Sequence, residues 1–277
     1  MLYTMPKTIS SVSYEIVTIT PDIARAWLDQ NVSNRRVNQT YVDSFARDMR
    51  NGSWRLTGDA VRFDTGRNLI DGQHRLLACI KANAPFSTCV IYGLPPETKE
   101  AIDIGRPRTS ADVMAMKGIA NSSTIQSTIR ALLQIKHGAL SAVALNSRWT
   151  ISEMMNLLDY HKELPASVRT CLGVRGPSIP STAALYYVAA HLLEQQERAD
   201  AMVAVLTKGV PDFPNDPMHR LRERMLRGRT ERSVRIPHPE RLGLLIHAWN
   251  NFVKRRPLHI LKLPDDVRIV GLETDLI

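Results

Sequence analysis

The sequence predicts an α+β protein, in which a small mixed sheet with helices is followed by an all-helical part. Four segments before Pro96 have the alternation and the β-branched residues of strands. From about residue 109 onward, the long segments instead show the apolar spacing of helices. The predicted domains are therefore 1–108 and 109–277, a division that suits a chain of 277 residues.

The first half of the small domain is predicted to contain one strand and two helices. SYEIVTIT (13–20) alternates and is rich in β-branched residues, as a strand does. Thr20 is the predicted N-cap of the first helix, with Pro21 at its first position. Asn38 is the predicted N-cap of the second helix, which Asn51 and Gly52 close.

The second half of this domain is predicted to run β-β-α-β. AVRFD (60–64) and NLID (68–71) flank the turn TGRN and predict a hairpin. A helix, HRLLACIKAN, follows at once and ends at Asn83, and FSTCVIYGLP (86–95) is the last strand. The whole order is β-α-α-β-β-α-β.

The second domain is predicted from helix starts and apolar periodicity. Its best membrane-span candidate, residues 183–193, is too short, so no span is expected. A short strand, VRIV (267–270), is expected near the end. The residues expected to begin helices are Thr109 or Ser110, Ser122 or Ser123, Ser152, and Ser181.

Charge and cysteine usage limit the class of partner and the compartment. The formal net charge is +9, which favours contact with a polyanion such as nucleic acid. Cys79, Cys89 and Cys171 form no CxxC pair, so reduced thiols are expected rather than a zinc or redox motif. The expected location is the cytoplasm, where thiols stay reduced.

The junction between NLID and the next helix concentrates polar chemistry. Asp71, Gly72, Gln73, His74 and Arg75 are consecutive there. A helix N-terminus presents backbone N–H groups and a positive dipole end, which favour phosphate. Gly72 permits the sharp turn, Arg75 can hold a phosphate bidentately, and His74 can transfer a proton. Asp71 suits a base, a hydroxyl acceptor or a ligand of phosphate-bound Mg²⁺; the alternative is that it only caps the helix.

This segment resembles the DGQHR motif of phage and bacterial proteins in the ParB/sulfiredoxin superfamily. The matching positions of the family's Gly-x-x-Arg-x-x-Ala element are Gly72, Arg75 and Ala78, and the resemblance covers roughly residues 13–95. It implies a ParB/sulfiredoxin-like fold that holds nucleotide phosphates, with an NTP (ATP or CTP) and Mg²⁺ as cofactors. Gln73 stands where sulfiredoxin has its nucleophilic cysteine, so reduction of a sulfinic acid is not expected.

Two further basic segments are candidates for the same phosphates. By analogy with ParB, Arg35 and Arg36, which follow Asn34, could reach the nucleotide, although a solvated basic loop explains them equally well. Arg106 and Arg108, in the segment after Asp103, could close over the pocket or belong to a linker.

The candidate nucleic-acid surface lies in the second domain. Residues 219–235 carry seven arginines and two glutamates, and residues 254–256 are Lys-Arg-Arg. Arginine suits phosphate contact, but a solvated helix face with Glu–Arg pairs is the alternative. Few aromatic residues interleave with these arginines, which does not favour base stacking on single strands. The predicted contacts are Arg220, Arg222, Arg224, Arg227, Arg229, Arg232, Lys254, Arg255 and Arg256.

These observations predict a phage-type ParB-like DNA-binding protein with a nucleotide-phosphate pocket, acting in DNA partition, modification or processing. One enzymatic alternative is an NTP-dependent kinase or phosphotransferase, with Asp71 and His74 as the catalytic residues. A second is a Mg²⁺ nuclease that uses Asp59, Asp64 and Asp71. A DNA-binding regulator with a purely structural pocket also stays open, as does a homodimer.

Overall fold

The computed structural model describes residues 12–31, 34, 36–102, 108–140, 148–231, 235–237, 240–265 and 267–277. The chain divides into two compact units. One consists of residues 1–107 and 148–152, and the other of residues 108–147 and 153–277. The α+β class is confirmed, since a small mixed sheet with helices comes first and further helices follow.

The first unit has the predicted β-α-α-β-β-α-β order. Its strands are β1 (Ser13–Ile19), β2 (Ala60–Asp64), β3 (Leu69–Asp71) and β4 (Phe86–Leu94). Its helices are α1 (Pro21–Leu28), α2 (Gln39–Arg50) and α3 (Gln73–Ala82), and a 3-10 helix spans Pro96–Ala101. The sheet order is β1-β4-β2-β3, with β2 parallel to β4 and the other neighbours antiparallel.

The predicted helix ends of this unit are confirmed because their signals are local. The Thr20 side chain accepts the N–H of Ile23 at the start of α1, and the Asn38 side chain accepts that of Thr40 at the start of α2. Asn83 ends α3 in a left-handed conformation. α3 therefore ends where the sequence predicts it.

The core of the first unit lies between the sheet and its helices. Apolar side chains of α1, α2 and α3 pack on β2, β3 and β4, and burying them is the main source of this unit's stability. Trp54 and Phe86 add an edge-to-face contact with ring centroids 5.2 Å apart. The fully buried members include Ala24, Val61, Leu69, Leu76, Ala78, Cys79 and Val90.

The second unit is helical. In its described residues, the α-helices are α4 (Ser110–Met116), α5 (Ser122–His137), α6 (Ile151–Tyr160), α7 (Leu164–Cys171), α8 (Ile179–Tyr187), α9 (Gln196–Lys208), α10 (Pro217–Thr230) and α11 (Glu240–Phe252). The first two residues of α6 belong to the first unit. Residues 182–187 of α8 are buried, and α5 and α7 pack against this helix. Trp249 is buried in α11, as expected of a core residue.

Several predicted details of the second unit are wrong. Asn121, in a left-handed conformation without a side-chain cap bond, precedes α5 in place of a serine cap. Ser178, not Ser181, caps α8, since Pro180 lacks an N–H and fits the first helical turn. Val267–Ile269 form no strand, because the Asn250 side chain bonds the backbone at Arg268 and Val270.

The apolar run from Thr182 onward is also not one continuous helix. Val188–Leu192 form a π-helical turn, and Glu194 has a positive φ of 55°. The chain reverses there, and α9 packs back on this part of the chain. The Tyr186 hydroxyl then donates to Asp200 at 2.7 Å, a contact that a straight helix through these residues would not allow.

Candidate functional site

The DGQHR motif forms a strand-turn-helix junction in the first unit. β3 ends at Asp71, and α3 begins at Gln73 with Gly72 as its N-cap. Gly72 has a φ of 107°, and a Cβ atom there would lie 2.9 Å from Cγ2 of Val61. Only glycine fits this position without strain. No side chain caps the start of α3, so the helix can offer its N-terminus to an anion.

Asp71 joins two arginines at this junction. Its Oδ2 atom accepts from Nη1 of Arg62 and from Nη2 of Arg75, the latter at 3.0 Å. Its Oδ1 atom accepts the backbone N–H of Gly72 at 2.7 Å. The carboxylate thus fixes two guanidinium groups and the turn at once, and both of its oxygens have protein donors.

Arg75 is the most enclosed cation of the junction. Its side chain is 11% exposed, and Nη2 donates both to Asp71 and to the carbonyl oxygen of Ala60, at 2.7 Å. Within the described residues, its Nη1 atom is buried and has no hydrogen-bond partner. A buried donor without a partner costs about 1–3 kcal/mol, so an anion that accepted from Nη1 would recover this free energy.

Sequence reasoning missed Arg62. It lies on β2 directly opposite Asp71 in the antiparallel register, and its side chain is 24% exposed. A regular antiparallel register that continues from the Phe63–Leu69 pair would place Arg62 opposite Ile70. A register shift between Arg62 and Phe63 instead places Arg62 opposite Asp71, where residues of opposite charge interact. The hairpin was predicted but the register shift was not, so the sequence pattern did not indicate this arginine.

His74 and Gln73 are buried and hold the surrounding loop. Nε2 of His74 accepts the backbone N–H of Asn38 at 2.9 Å. Oε1 of Gln73 accepts from Asn31, whose own Oδ1 accepts from Asn34 at 2.6 Å. Asn34 also donates to the carbonyl oxygen of Leu69. These bonds tie the loop before α2 to β3 and α3.

The outlying phosphate candidates are placed less closely. Arg36 is exposed in the loop before α2, and Arg108 is exposed at the beginning of the second unit. Arg35, Asp103 and Arg106 lie outside the described residues. The predictions for all these residues stay predictions.

The carboxylates of the nuclease alternative each have their own partners. Asp59 accepts from Thr57, while Asp64 accepts from the backbone and side chain of Asn68. Burial opposes the charged form of Asp64, but the hydrogen bonds from Asn68 outweigh it and lower the pKa. In the described parts of the chain, no three or more His, Cys, Asp or Glu residues are grouped as a metal site would need.

The predicted nucleic-acid contacts of the second unit differ in how far their side chains are exposed. Arg220, Arg227 and Arg229 are exposed. Arg222 is only 14% exposed, and it donates through Nε to the carbonyl oxygen of Leu206 at 3.1 Å and pairs with Glu223. Arg222 therefore packs within the unit. Lys254, Arg255 and Arg256 are exposed after α11, and Arg232 lies outside the described residues.

The remaining arginine of α10, Arg224, borders a cleft in the second unit. The cleft has a volume of about 570 Å³ and lies between α10, the segment before it and residues 259–261. Nη1 of Arg224 donates to the carbonyl oxygen of Leu261 at 2.5 Å, which fixes one wall. The residues that line it are Pro211, Asn215, Asp216, His219, Arg220, Glu223, Arg224, Arg227, His259, Ile260 and Leu261.

Two further findings concern the cysteine thiols and the length and apolar character of the helices. All three cysteines are free thiols, and burial raises the pKa of Cys79 to about 11 and that of Cys171 to about 12. Among the residues with described positions, no helix has the length and apolar character needed to span a bilayer.

Comparisons of this chain with protein-family models, with curated proteins and with solved structures gave no match.

Proposed function

We propose that this chain is a DNA-binding protein whose first unit binds the phosphates of a nucleotide at the start of α3. In this proposal it is a phage-type member of the ParB/sulfiredoxin superfamily that acts in DNA partition, modification or processing. The nucleotide is ATP or CTP, bound with Mg²⁺. The observation that carries the phosphate site is the buried Nη1 atom of Arg75, which has no partner among the described residues.

The surroundings of Arg75 support an anion rather than a further protein contact as its missing partner. Asp71 holds Arg75 and Arg62 with a single carboxylate, so the group has one more positive than negative charge. The N-terminus of α3 adds a positive dipole end and has no side-chain cap. A phosphate offers several acceptor oxygens, and arginine binds such groups through paired N–H donors.

The same contacts favour binding over phosphoryl transfer. A general base needs a carboxylate oxygen or an imidazole nitrogen that can face the substrate hydroxyl. Asp71 uses Oδ2 for two arginines and Oδ1 for the Gly72 N–H, and His74 uses Nε2 for the Asn38 N–H. Both side chains therefore act as positioning residues in the proposed site.

The support for DNA contact comes from the second unit. Arg220, Arg227 and Arg229 are exposed on α10, and Lys254 to Arg256 add three exposed cations after α11. The formal net charge of +9 also favours contact with DNA. Exposed arginines and lysines that neutralise phosphates release condensed counterions. The logarithm of the binding constant should therefore fall linearly with the logarithm of the salt concentration.

The phosphate site is tested by thermal stabilisation of the full chain with ATP, CTP, GTP or pyrophosphate, each with Mg²⁺. A ligand at 100 times its Kd should add about 2.7 kcal/mol to the free energy of unfolding. Arg75→Lys keeps a positive charge but removes the planar fork, and it should abolish most of the shift. Arg55→Gln, which removes an exposed arginine of the loop after α2, is the matched control.

The outcomes separate clearly. A shift with one nucleotide that survives Arg55→Gln and disappears in Arg75→Lys supports the site, provided that circular dichroism shows both variants folded. No shift with any of the four ligands, or an equal shift in Arg75→Lys, refutes a phosphate site at α3. Release of product from ATP, CTP or GTP that Asp71→Asn abolishes would restore the phosphotransferase alternative.

A further inference from the structure

We infer that the cleft beside α10 binds an unpaired nucleotide within a single strand of nucleic acid. This inference rests on the proposed nucleic-acid binding and specifies its substrate class. The cleft measures about 570 Å³, and its walls come from α10, from residues 211–216 and from residues 259–261. A paired duplex cannot enter such a space, whereas one nucleotide can.

Two arginines of the cleft are already held in place. Arg220 donates to Oδ1 of Asn215 at 2.6 Å and to the carbonyl oxygen of His259, and Arg224 donates to that of Leu261. A guanidinium group carries five N–H donors, so these bonds use fewer than half of them. Prior ordering of the side chains lowers the entropic cost of binding a phosphate.

The acidic residues of the cleft do not cancel its positive charge. Glu223 pairs with Arg222, which is itself packed within the unit. The carboxylate of Asp216 caps α10, where it accepts the backbone N–H groups of Asp212, Met218 and His219. Arg227 is paired with Glu231 at 3.0 Å, and Glu231 does not line the cleft. Arg220 and Arg224 therefore face the cleft with charge that Glu223 and Asp216 do not compensate, and Arg227 adds a cation that a phosphate can share with Glu231.

The spacing of the arginines suits a strand that runs along the helix. Arg220, Arg224 and Arg227 are separated by four and three residues, so they lie on one face of α10. At a rise of 1.5 Å per residue, the first and the last are about 10 Å apart along the axis. Such a row can contact more than one phosphate of the same strand.

An exposed apolar side chain in the cleft favours contact with an unpaired base over contact with the sugar-phosphate backbone of a duplex. Ile260 lines the cleft and is 67% exposed, and it lies next in sequence to Leu261, which also lines it. Phosphates gain nothing from contact with isoleucine, but the flat face of a base does. Residues 259–261 are remote in sequence from the arginines, and the fold supplies the apolar surface that is missing among residues 219–235.

The experiment compares three fluorescein-labelled DNAs by anisotropy with the full chain. They are a single strand of 12 nucleotides, the same strand paired with its complement, and the same strand with abasic sites. The intact strand should bind most tightly. Arg227→Gln should weaken it and reduce the slope of log K against log salt by about 0.7, as expected for one lost phosphate contact on a single strand.

Ile260→Ala isolates the contribution of the base. It should weaken binding of the intact strand about fivefold, from loss of apolar contact, and leave binding of the abasic strand unchanged. Arg229→Gln is the matched control for charge, because Arg229 is exposed on the same helix and does not line the cleft. It should leave the affinity for the strand nearly unchanged.

The outcomes separate this inference from the proposed function. Equal binding of strand and duplex, or equal losses for Arg227→Gln and Arg229→Gln, overturns the cleft and leaves DNA binding standing. Competition by a free mononucleotide at the same concentration as the strand overturns the assignment to a strand. No binding of any DNA refutes both. The three substituted side chains are exposed, so unchanged melting temperatures should accompany every result.

Discussion

The Nε2 atom of His74 accepts a 2.9 Å hydrogen bond from the backbone N–H of Asn38, the residue that caps α2. A nitrogen that accepts an N–H carries no proton of its own. The histidine of the DGQHR motif therefore connects the start of α3 to the start of α2 across 36 residues of sequence.

This bond predicts that His74 stabilises the first unit. His74→Phe keeps an aromatic ring but removes the acceptor, and it should lower the free energy of unfolding by about 1–3 kcal/mol. His74→Gln places a carbonyl oxygen within similar reach and should recover part of this loss. Urea unfolding followed by circular dichroism gives both values. Equal stability of His74→Phe and the wild type would show that the bond contributes nothing.

The turn at Gly72 leads to a second prediction. Its φ of 107° disfavours every other residue, and an added Cβ would meet Val61 at 2.9 Å. Gly72→Ala should therefore destabilise the chain by about 1–3 kcal/mol. Gly58→Ala is the control, since nothing lies within 4 Å of a Cβ there and its φ is not in the left-handed region. Both are measured by urea unfolding, and equal effects would mean that Gly72 is not required.

Adding Val61→Ala to Gly72→Ala separates the two contributions. The double variant removes the contacts with the two γ-methyl groups, including the 2.9 Å contact, but keeps the 3.2 Å approach to Cβ of residue 61 and the unfavourable φ. It should remain less stable than Val61→Ala alone by the backbone contribution and by the smaller cost of the remaining Cβ contact.

The sequence predicted features that depend on neighbours in the chain and missed those that depend on distant ones. The caps Thr20 and Asn38 were found, and Thr109 was one of two candidates for a third, because a side chain and a backbone N–H two or three residues away decide them. Arg62 was missed because its pairing with Asp71 depends on strand register. The cleft was missed because Ile260 and the α10 arginines meet only through the packing of the second unit.

A third prediction distinguishes two arginines that look equivalent in the sequence. Arg222 is packed and donates to the Leu206 carbonyl oxygen, whereas Arg227 is exposed and pairs with Glu231. Arg222→Ala should lower the free energy of unfolding by about 1–3 kcal/mol without changing the intrinsic affinity for DNA. Arg227→Ala should weaken the affinity for DNA and leave the free energy of unfolding nearly unchanged, since exposed ion pairs contribute little to stability.

Thermal unfolding and anisotropy with labelled DNA measure the two effects on the same preparations. Anisotropy must be recorded well below the melting temperature of Arg222→Ala, so that the unfolded fraction does not imitate weak binding. A loss of affinity in the folded Arg222→Ala variant would show that this arginine contacts nucleic acid after all.

The fourth prediction concerns pH and the second unit. His161 is 1% exposed, its Nδ1 lies 2.8 Å from the Tyr187 hydroxyl, and Nε2 is buried without a hydrogen-bond partner in the described chain. Burial, and then the nearby charge of Lys136, lower the pKa of His161, and burial also lowers that of His247. The unfolded chain therefore binds protons at a higher pH than the folded chain does. Stability is fully present above the unfolded pKa of about 6.5 and falls as the pH drops from there toward the folded pKa.

His161→Phe removes one of these two titrations and retains an aromatic ring. Urea unfolding at a series of pH values should show a smaller loss of stability below about pH 6.5 than in the wild type, even if the variant is less stable at neutral pH because Tyr187 loses its partner. His247→Phe should reduce the same slope independently, and the two reductions should add if the sites do not interact. A slope in His161→Phe identical to that of the wild type would contradict this account, because it would show that His161 takes up its proton at the same pH in the folded and the unfolded chain.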